Sequence, residues 1–122
     1  MDDAELAQRT KAFALRILRL VASLPKSREA DVLGKQLLRA ATSIGASYRE
    51  ARRGRSKADF AAKIEVCVQE ADESLYWLEL LADSRMVRPE LLRDLQKEAS
   101  QLVAIFAASA KTARPRSDVR KT

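Results

Sequence analysis

Apolar residues recur every three or four positions along four stretches of the chain, the spacing that places them on one side of a helix. The stretches cover about residues 4–24, 29–53, 56–83 and 89–109. Short connections join them, and no strand pattern competes with the helical one. This pattern predicts an all-α fold, an antiparallel up-down-up-down four-helix bundle.

The third stretch has the most regular pattern. Its apolar stripe, which at 100° per residue falls within a narrow arc, consists of Phe60, Ile64, Cys67, Ala71, Leu75, Leu78 and Ala82. On this stripe Cys67 is expected to act as a small hydrophobic residue and not as a nucleophile.

Local signals set the ends of the predicted helices. Pro25 should stop the first helix, and Pro89 suits the first turn of the fourth. Gly54 is placed to supply a left-handed residue after the second helix. Ser56 and Asp59 form a capping box, in which each side chain accepts from the other residue's amide, so the third helix should begin there.

The composition narrows the possible chemistry. The 122 residues contain no histidine and one cysteine, which excludes Ser-His-Asp and Cys-His catalysis, zinc fingers, Glu-x-x-His di-iron sites and disulfide frameworks. We expect no enzymatic activity and no cofactor. The first residues are acidic, whereas a signal peptide begins with positive charge, and the apolar runs are too short to span a membrane. We therefore expect a cytoplasmic protein.

The length fits one domain. We predict a bundle over residues 1–112 and a basic disordered tail over 113–122.

The formal net charge of +6 is unevenly distributed. Residues 25–55 have 8 basic and 3 acidic side chains, whereas residues 56–84 have 2 basic and 7 acidic ones. Two interpretations follow: a basic face for polyanions, or complementary faces that pair with each other.

One face of the second helix is basic. At 100° per residue, Arg28, Lys35, Arg39, Arg49 and Arg53 fall within about 80° of arc, opposite the apolar stripe. Thr42 and Ala46 lie between them and would let a phosphodiester backbone approach. Together with the turn that follows, the candidate nucleic-acid-binding residues are Arg28, Lys35, Arg39, Arg49, Arg52, Arg53, Arg55 and Lys57. The competing interpretations are a solvated helix face, an intersubunit salt-bridge surface and simple helix capping.

The third helix has apolar residues outside its stripe. Tyr76, Trp77 and Leu80 face away from the predicted core, so we expect them to form an oligomer interface. A wide core stripe is the alternative. Glu70 and Glu73 are interpreted as a solvated face, and Glu65, Asp72, Glu79 and Asp83 gather on one side, where they could meet basic residues of a neighbouring subunit.

Three segments carry a family resemblance. They are QLLRAATSIGA at 36–46, YREARRGRSKADF at 48–60 and EADESLYWLELL at 70–81. The chain resembles the bacterial four-helix-bundle proteins found in intervening sequences of 23S ribosomal RNA genes. The motif positions are Arg39, Ser43, Glu50, Arg53, Ser56, Phe60, Glu70, Glu73 and Trp77. Ser47 departs from the family, which usually has Asn there.

The resemblance implies a function. Members of this family form homopentameric rings with a basic surface, and they are related to the accessory variability determinant of diversity-generating retroelements, which binds nucleic acid and a reverse transcriptase. We therefore expect a nonenzymatic homopentameric adaptor that binds RNA, DNA or an RNA–DNA hybrid, with a reverse transcriptase as protein partner. The alternative is a protein-interaction scaffold whose charges pair between subunits.

Overall fold

A computed structural model of the protein describes residues 1–113. Four helices make up this part of the chain: α1 (Asp3–Ala22), α2 (Arg28–Arg52), α3 (Lys57–Asp83) and α4 (Pro89–Ala113). No strand occurs among these residues, which confirms the all-α prediction. Helix α4 is longer than predicted and includes Ala113. The rest of the predicted tail, residues 114–122, lies outside the described residues.

Side chains cap the first three helices as their sequences indicate. Asp2 accepts a hydrogen bond from the Glu5 amide at 2.8 Å, and Ser27 accepts one from Ala30 at 3.1 Å. Ser56 accepts from the Asp59 amide at 3.1 Å, as predicted. The return bond of the capping box, from the Ser56 amide to Asp59, does not form in the described part of the chain. Each such cap stabilises a helix by about 1 kcal/mol.

The prediction of a left-handed residue at Gly54 is wrong. No glycine between residues 1 and 113 has a positive φ, and the residue that caps α2 is Arg53, with φ −100° and ψ 6°. Gly54 allows a close approach, because a Cβ atom there would lie 3.1 Å from the Ala51 carbonyl oxygen. The left-handed residue is Arg85, with φ 63°, just after α3.

The helices pack mainly in chain order. α2 contacts α1 and α3, and α3 contacts α4, whereas α1 and α4 contact each other only slightly. Most of the predicted stripe residues are buried or half-buried between the helices. The largest fully buried side chains include Phe13, Ile17, Leu37, Ile44, Ile64, Leu78, Leu92, Leu102 and Phe106.

Contacts between neighbouring helices join early residues of one to late residues of the other. Tyr48, near the end of α2, bonds to Asp3 at the start of α1, and Lys63 in α3 pairs with Glu50 in α2. The buried polar residues Thr10 and Ser74 bond to backbone carbonyls of their own helices. No helix in the described part of the chain is both long and apolar enough to cross a membrane.

Candidate nucleic-acid interface

A groove of about 490 Å³ lies between α1 and α2. Small residues line it, among them Ala14, Thr42, Gly45 and Ala46. A Cβ atom on Gly45 would lie 3.3 Å from the Thr10 hydroxyl oxygen, so the two helices approach closely at this point. Between its long side chains the groove is therefore lined by small residues.

Four cations line the same groove: Lys11 from α1, and Arg49, Arg52 and Arg53 from α2. All four are exposed, and none forms an ion pair within residues 1–113. Glu50 also lines the groove, but its carboxylate is paired with Lys63 at 2.8 Å. The groove therefore has a net positive charge, which suits a phosphate-bearing ligand.

Tyr48 lies beneath the groove arginines, on the buried side of α2. Its side chain is buried, its hydroxyl donates to Asp3 Oδ1 at 3.0 Å, and its ring meets Phe106 edge-on, with centroids 5.5 Å apart. Burial, and then the bond to Asp3, raise the pKa of Tyr48 to about 12. The Arg52 guanidinium lies 5.8 Å from the Tyr48 ring centroid, a cation–π contact that orients this arginine.

Arg39, one of the predicted nucleic-acid-binding residues, forms ion pairs within the chain. Its guanidinium donates to Glu70 at 3.2 Å and to Glu73, both in α3. Trp77 Nε1 donates to the same Glu73 carboxylate at 3.2 Å. Arg39 is thus a bridge between α2 and α3, with its charge compensated inside the chain.

The interpretation of Glu70 and Glu73 as a solvated face is wrong, because both carboxylates accept hydrogen bonds from Arg39 of α2. The Glu70 side chain is 14% exposed and that of Glu73 34% exposed, because both lie against α2. Several positions of the family motif therefore build the α2–α3 contact.

The other predicted cations lie outside the groove. Arg28 and Lys35 line a separate cavity of about 580 Å³ at the opposite end of α2, where Lys35 pairs with Asp31 at 3.0 Å. Arg55 and Lys57 are exposed at the α2–α3 turn. Of the eight predicted residues, the structure thus brings three together in the α1–α2 groove: Arg49, Arg52 and Arg53.

Lys11 was missed because it belongs to another helix. On α1 it lies on the side opposite Phe13 and Ile17, and the sequence gives no sign that this side borders the basic face of α2. Only the packing of α1 against α2 places Lys11 in the same groove as Arg49.

The predicted oligomer interface is only partly exposed. Trp77 and Leu80 are half-buried, and Trp77 packs against the core. Tyr76 is 53% exposed and meets the Trp77 ring edge-on, at 5.1 Å between centroids. Other large apolar side chains that remain exposed include Leu15 and Leu18 of α1.

Cys67 is buried, as expected of a core residue. Its Sγ donates to the Ile44 carbonyl oxygen at 3.6 Å, and burial raises the pKa of the thiol to about 12. Within residues 1–113, no group of three or more His, Cys, Asp or Glu side chains is placed to hold a metal ion.

Comparison with known proteins identifies a family and a similar crystal structure. Residues 2–108 match the family described as 23S rRNA-intervening sequence protein. A crystal structure of a protein of unknown function from the S23 ribosomal protein family of Bacteroides thetaiotaomicron VPI-5482 is similar, with a TM-score of 0.84 and 33% sequence identity. The match covers 91% of this chain and 99% of that one. No curated protein matches significantly.

Proposed function

This chain belongs to the 23S rRNA-intervening sequence protein family, and from that premise we propose that it is a nonenzymatic adaptor that binds RNA, or an RNA–DNA hybrid, by its phosphates. The observation that carries the proposal is the α1–α2 groove, where Lys11, Arg49, Arg52 and Arg53 have no carboxylate partner within residues 1–113. The arginine guanidinium is a planar fork that donates two hydrogen bonds to one phosphate, so this composition favours phosphate contact over base reading.

Counterion release would provide most of the binding free energy. If each of the four groove cations neutralises one phosphate of a duplex, the logarithm of the association constant should fall with the logarithm of salt concentration at a slope of about −3.6. A surface with so few contacts binds weakly at physiological salt. Several copies presented together would bind one RNA molecule more tightly than a single copy does.

We propose that such repetition comes from a homopentameric ring of antiparallel up-down-up-down bundles. The exposed Tyr76, Leu15 and Leu18 support self-association, because these side chains can lose solvent-exposed area only by contact with another molecule. The resemblance to the retroelement accessory protein extends the proposal to a reverse transcriptase as protein partner.

The test compares two variants that each lose three positive charges. One carries Arg49→Ala, Arg52→Ala and Arg53→Ala in the groove, and the matched control carries Arg16→Ala, Arg19→Ala and Arg93→Ala, which are exposed cations outside it. Binding of a labelled RNA duplex is measured between about 50 and 200 mM salt, and oligomeric mass is recorded by light scattering.

We expect the groove variant to keep its mass and lose about 2.7 units of salt slope, while the control stays close to the parent protein. Equal losses in the two variants would contradict a localised site and leave net charge as the only cause of binding.

The scaffold alternative has its own support. Asp72, Glu79 and Asp83 on α3 are exposed and form no ion pair in the described part of the chain. They could pair with the groove cations of a neighbouring copy. In that case the groove variant, and not the control, would lose oligomeric mass, and binding of RNA to the parent protein would be absent or independent of the groove.

A further inference from the structure

Within residues 1–113, no exposed aromatic side chain lies in the groove, where an unpaired base could stack on it. Phe13, Tyr48 and Phe106 are at most 3% exposed. Tyr76, the most exposed aromatic residue of this part of the chain, lies on α3, whereas the groove is lined by α1 and α2. Stacking on an aromatic ring contributes about 1–3 kcal/mol per unpaired base, so a single strand gains none of this free energy in the groove.

Guanidinium planes can replace aromatic rings as stacking surfaces, but the groove offers few of them. The Arg52 guanidinium lies over the Tyr48 ring and is already in contact with an aromatic face. Lys11 has no planar group. Two of the four groove cations, Lys11 and Arg52, are therefore less suited to stacking on bases than to contact with phosphates.

A double helix offers these cations more phosphates within reach. Duplex DNA has one negative charge per about 1.7 Å of axis, compared with about 3.4 Å for each strand, and releases about 0.9 counterions per phosphate contact, compared with about 0.7 for single strands. Arg49 and Arg53 are only about 6 Å apart along α2, with Lys11 across the groove. If duplex RNA follows these values, four contacts at 0.1 M salt favour the duplex about sixfold from this difference alone.

We infer that the ligand of the groove is the sugar–phosphate backbone of double-helical RNA, and that unpaired RNA is a poor ligand. This inference rests on the proposed function and specifies its ligand. The small residues Thr42, Gly45 and Ala46 let the convex backbone of a duplex approach the cations, and no base needs to leave its stack.

The experiment uses the full chain and one pair of complementary RNA strands without internal pairing. Affinity for the duplex and for each separate strand is measured at 0.1 M salt, and we expect the duplex to bind at least about sixfold more tightly. A strand that binds as tightly as the duplex overturns the inference but leaves the proposed function standing. Absence of binding to all three RNAs overturns the proposed function itself.

A second measurement adds the missing stacking surface. Ala46→Trp places an aromatic ring on the exposed rim of the groove, and Ala62→Trp places one on the exposed surface of α3 as a matched control. We expect Ala46→Trp to raise affinity for the single strands about fivefold or more, and Ala62→Trp to leave it unchanged. No gain in single-strand affinity from Ala46→Trp, in a variant whose helix content and thermal stability match the parent protein, would show that missing stacking is not the reason for weak strand binding.

Discussion

The Arg9 guanidinium in α1 donates two hydrogen bonds to the Glu98 carboxylate in α4, at 2.7 Å to Oε2 and 2.8 Å to Oε1. The Arg9 side chain is 25% exposed and that of Glu98 17% exposed. Because α1 and α4 otherwise contact each other only slightly, this bidentate pair is the main polar connection between the first and last helices. The bond to Glu98 raises the pKa of Arg9 above its ordinary value.

Breaking this pair should destabilise the bundle. We expect Arg9→Met to lower the free energy of unfolding by about 1–2 kcal/mol, because it leaves the Glu98 carboxylate partly buried without its partner. Urea denaturation measures the change. Arg16→Met, an exposed arginine on the same helix, is the control and should change stability by less than about 0.5 kcal/mol. Similar effects of the two substitutions would contradict a specific role for the pair.

Substitutions of Arg39 and Arg53 should have different effects, the first on stability and the second on RNA binding. Arg39→Ala removes the bridge to Glu70 and Glu73, so we expect it to lower the free energy of unfolding by about 1 kcal/mol and to change the fluorescence of Trp77. Arg53→Ala should leave stability unchanged and weaken RNA binding. Urea denaturation and RNA titration of both variants test this. The assignment fails if Arg39→Ala, with its stability unchanged, is the variant that weakens binding.

The left-handed residue after α3 should be replaceable with a gain in stability. Arg85 has φ 63°, a conformation that is sterically unfavourable for a residue with a Cβ atom and not for glycine. Arg85→Gly should therefore raise the free energy of unfolding by about 1 kcal/mol. Thermal unfolding should show an increase of about 4 °C. Arg85→Ala is the control, since alanine keeps the Cβ atom and should give no such gain. A similar increase with alanine would show that the arginine side chain, and not φ, was unfavourable.

Stability should fall in alkaline solution. The pKa of Cys67 is raised from 9.0 to about 12, and that of Tyr48 from 10.0 to about 12. Above its ordinary pKa each group loses its proton in the unfolded chain but retains it in the folded one, so folding is favoured less as pH rises from about 9 to 12. Each group contributes a slope of up to about 1.4 kcal/mol per pH unit.

Two substitutions check the origin of this slope. Tyr48→Phe should remove the part that begins near pH 10, and Cys67→Ala the part that begins near pH 9, when unfolding free energy is measured against pH. A slope that is unchanged from the parent protein in both variants would contradict the assignment, because other groups would then be the cause.

Tyr76 and Trp77 should differ in their effects on assembly. Tyr76 is exposed, so Tyr76→Ala is expected to reduce the oligomeric mass measured by light scattering while helix content and stability stay unchanged. Trp77 packs against the core and bonds to Glu73, so Trp77→Ala should destabilise the fold by about 2 kcal/mol or more. If Tyr76→Ala leaves the mass of an oligomeric protein unchanged, its interface lies elsewhere.

The helices could be predicted from the sequence because their signals are local. The apolar spacing of α3 and the serine before it involve residues within a few positions of each other, and both predictions are confirmed. Gly54 shows the limit of such signals. A glycine after a helix permits a left-handed residue without requiring one, and the chain adopts that conformation at Arg85 instead.

The candidate site was harder to predict, because a helical projection shows which residues share a face but not which helix lies opposite them. Arg39 and Arg49 belong to the same basic face of α2. Arg39 lies toward α3 and bonds to Glu70, 31 residues away in sequence, whereas Arg49 lines the α1–α2 groove together with Lys11.

The sequence by itself determined the helices, the Ser56 cap, the buried stripes and the basic character of α2. The tertiary structure alone decided which of the basic residues remain available for a ligand. The physical reason is that a charge is compensated by whichever group packing brings within a few ångströms of it, and for Arg39 those groups, Glu70 and Glu73, lie on another helix.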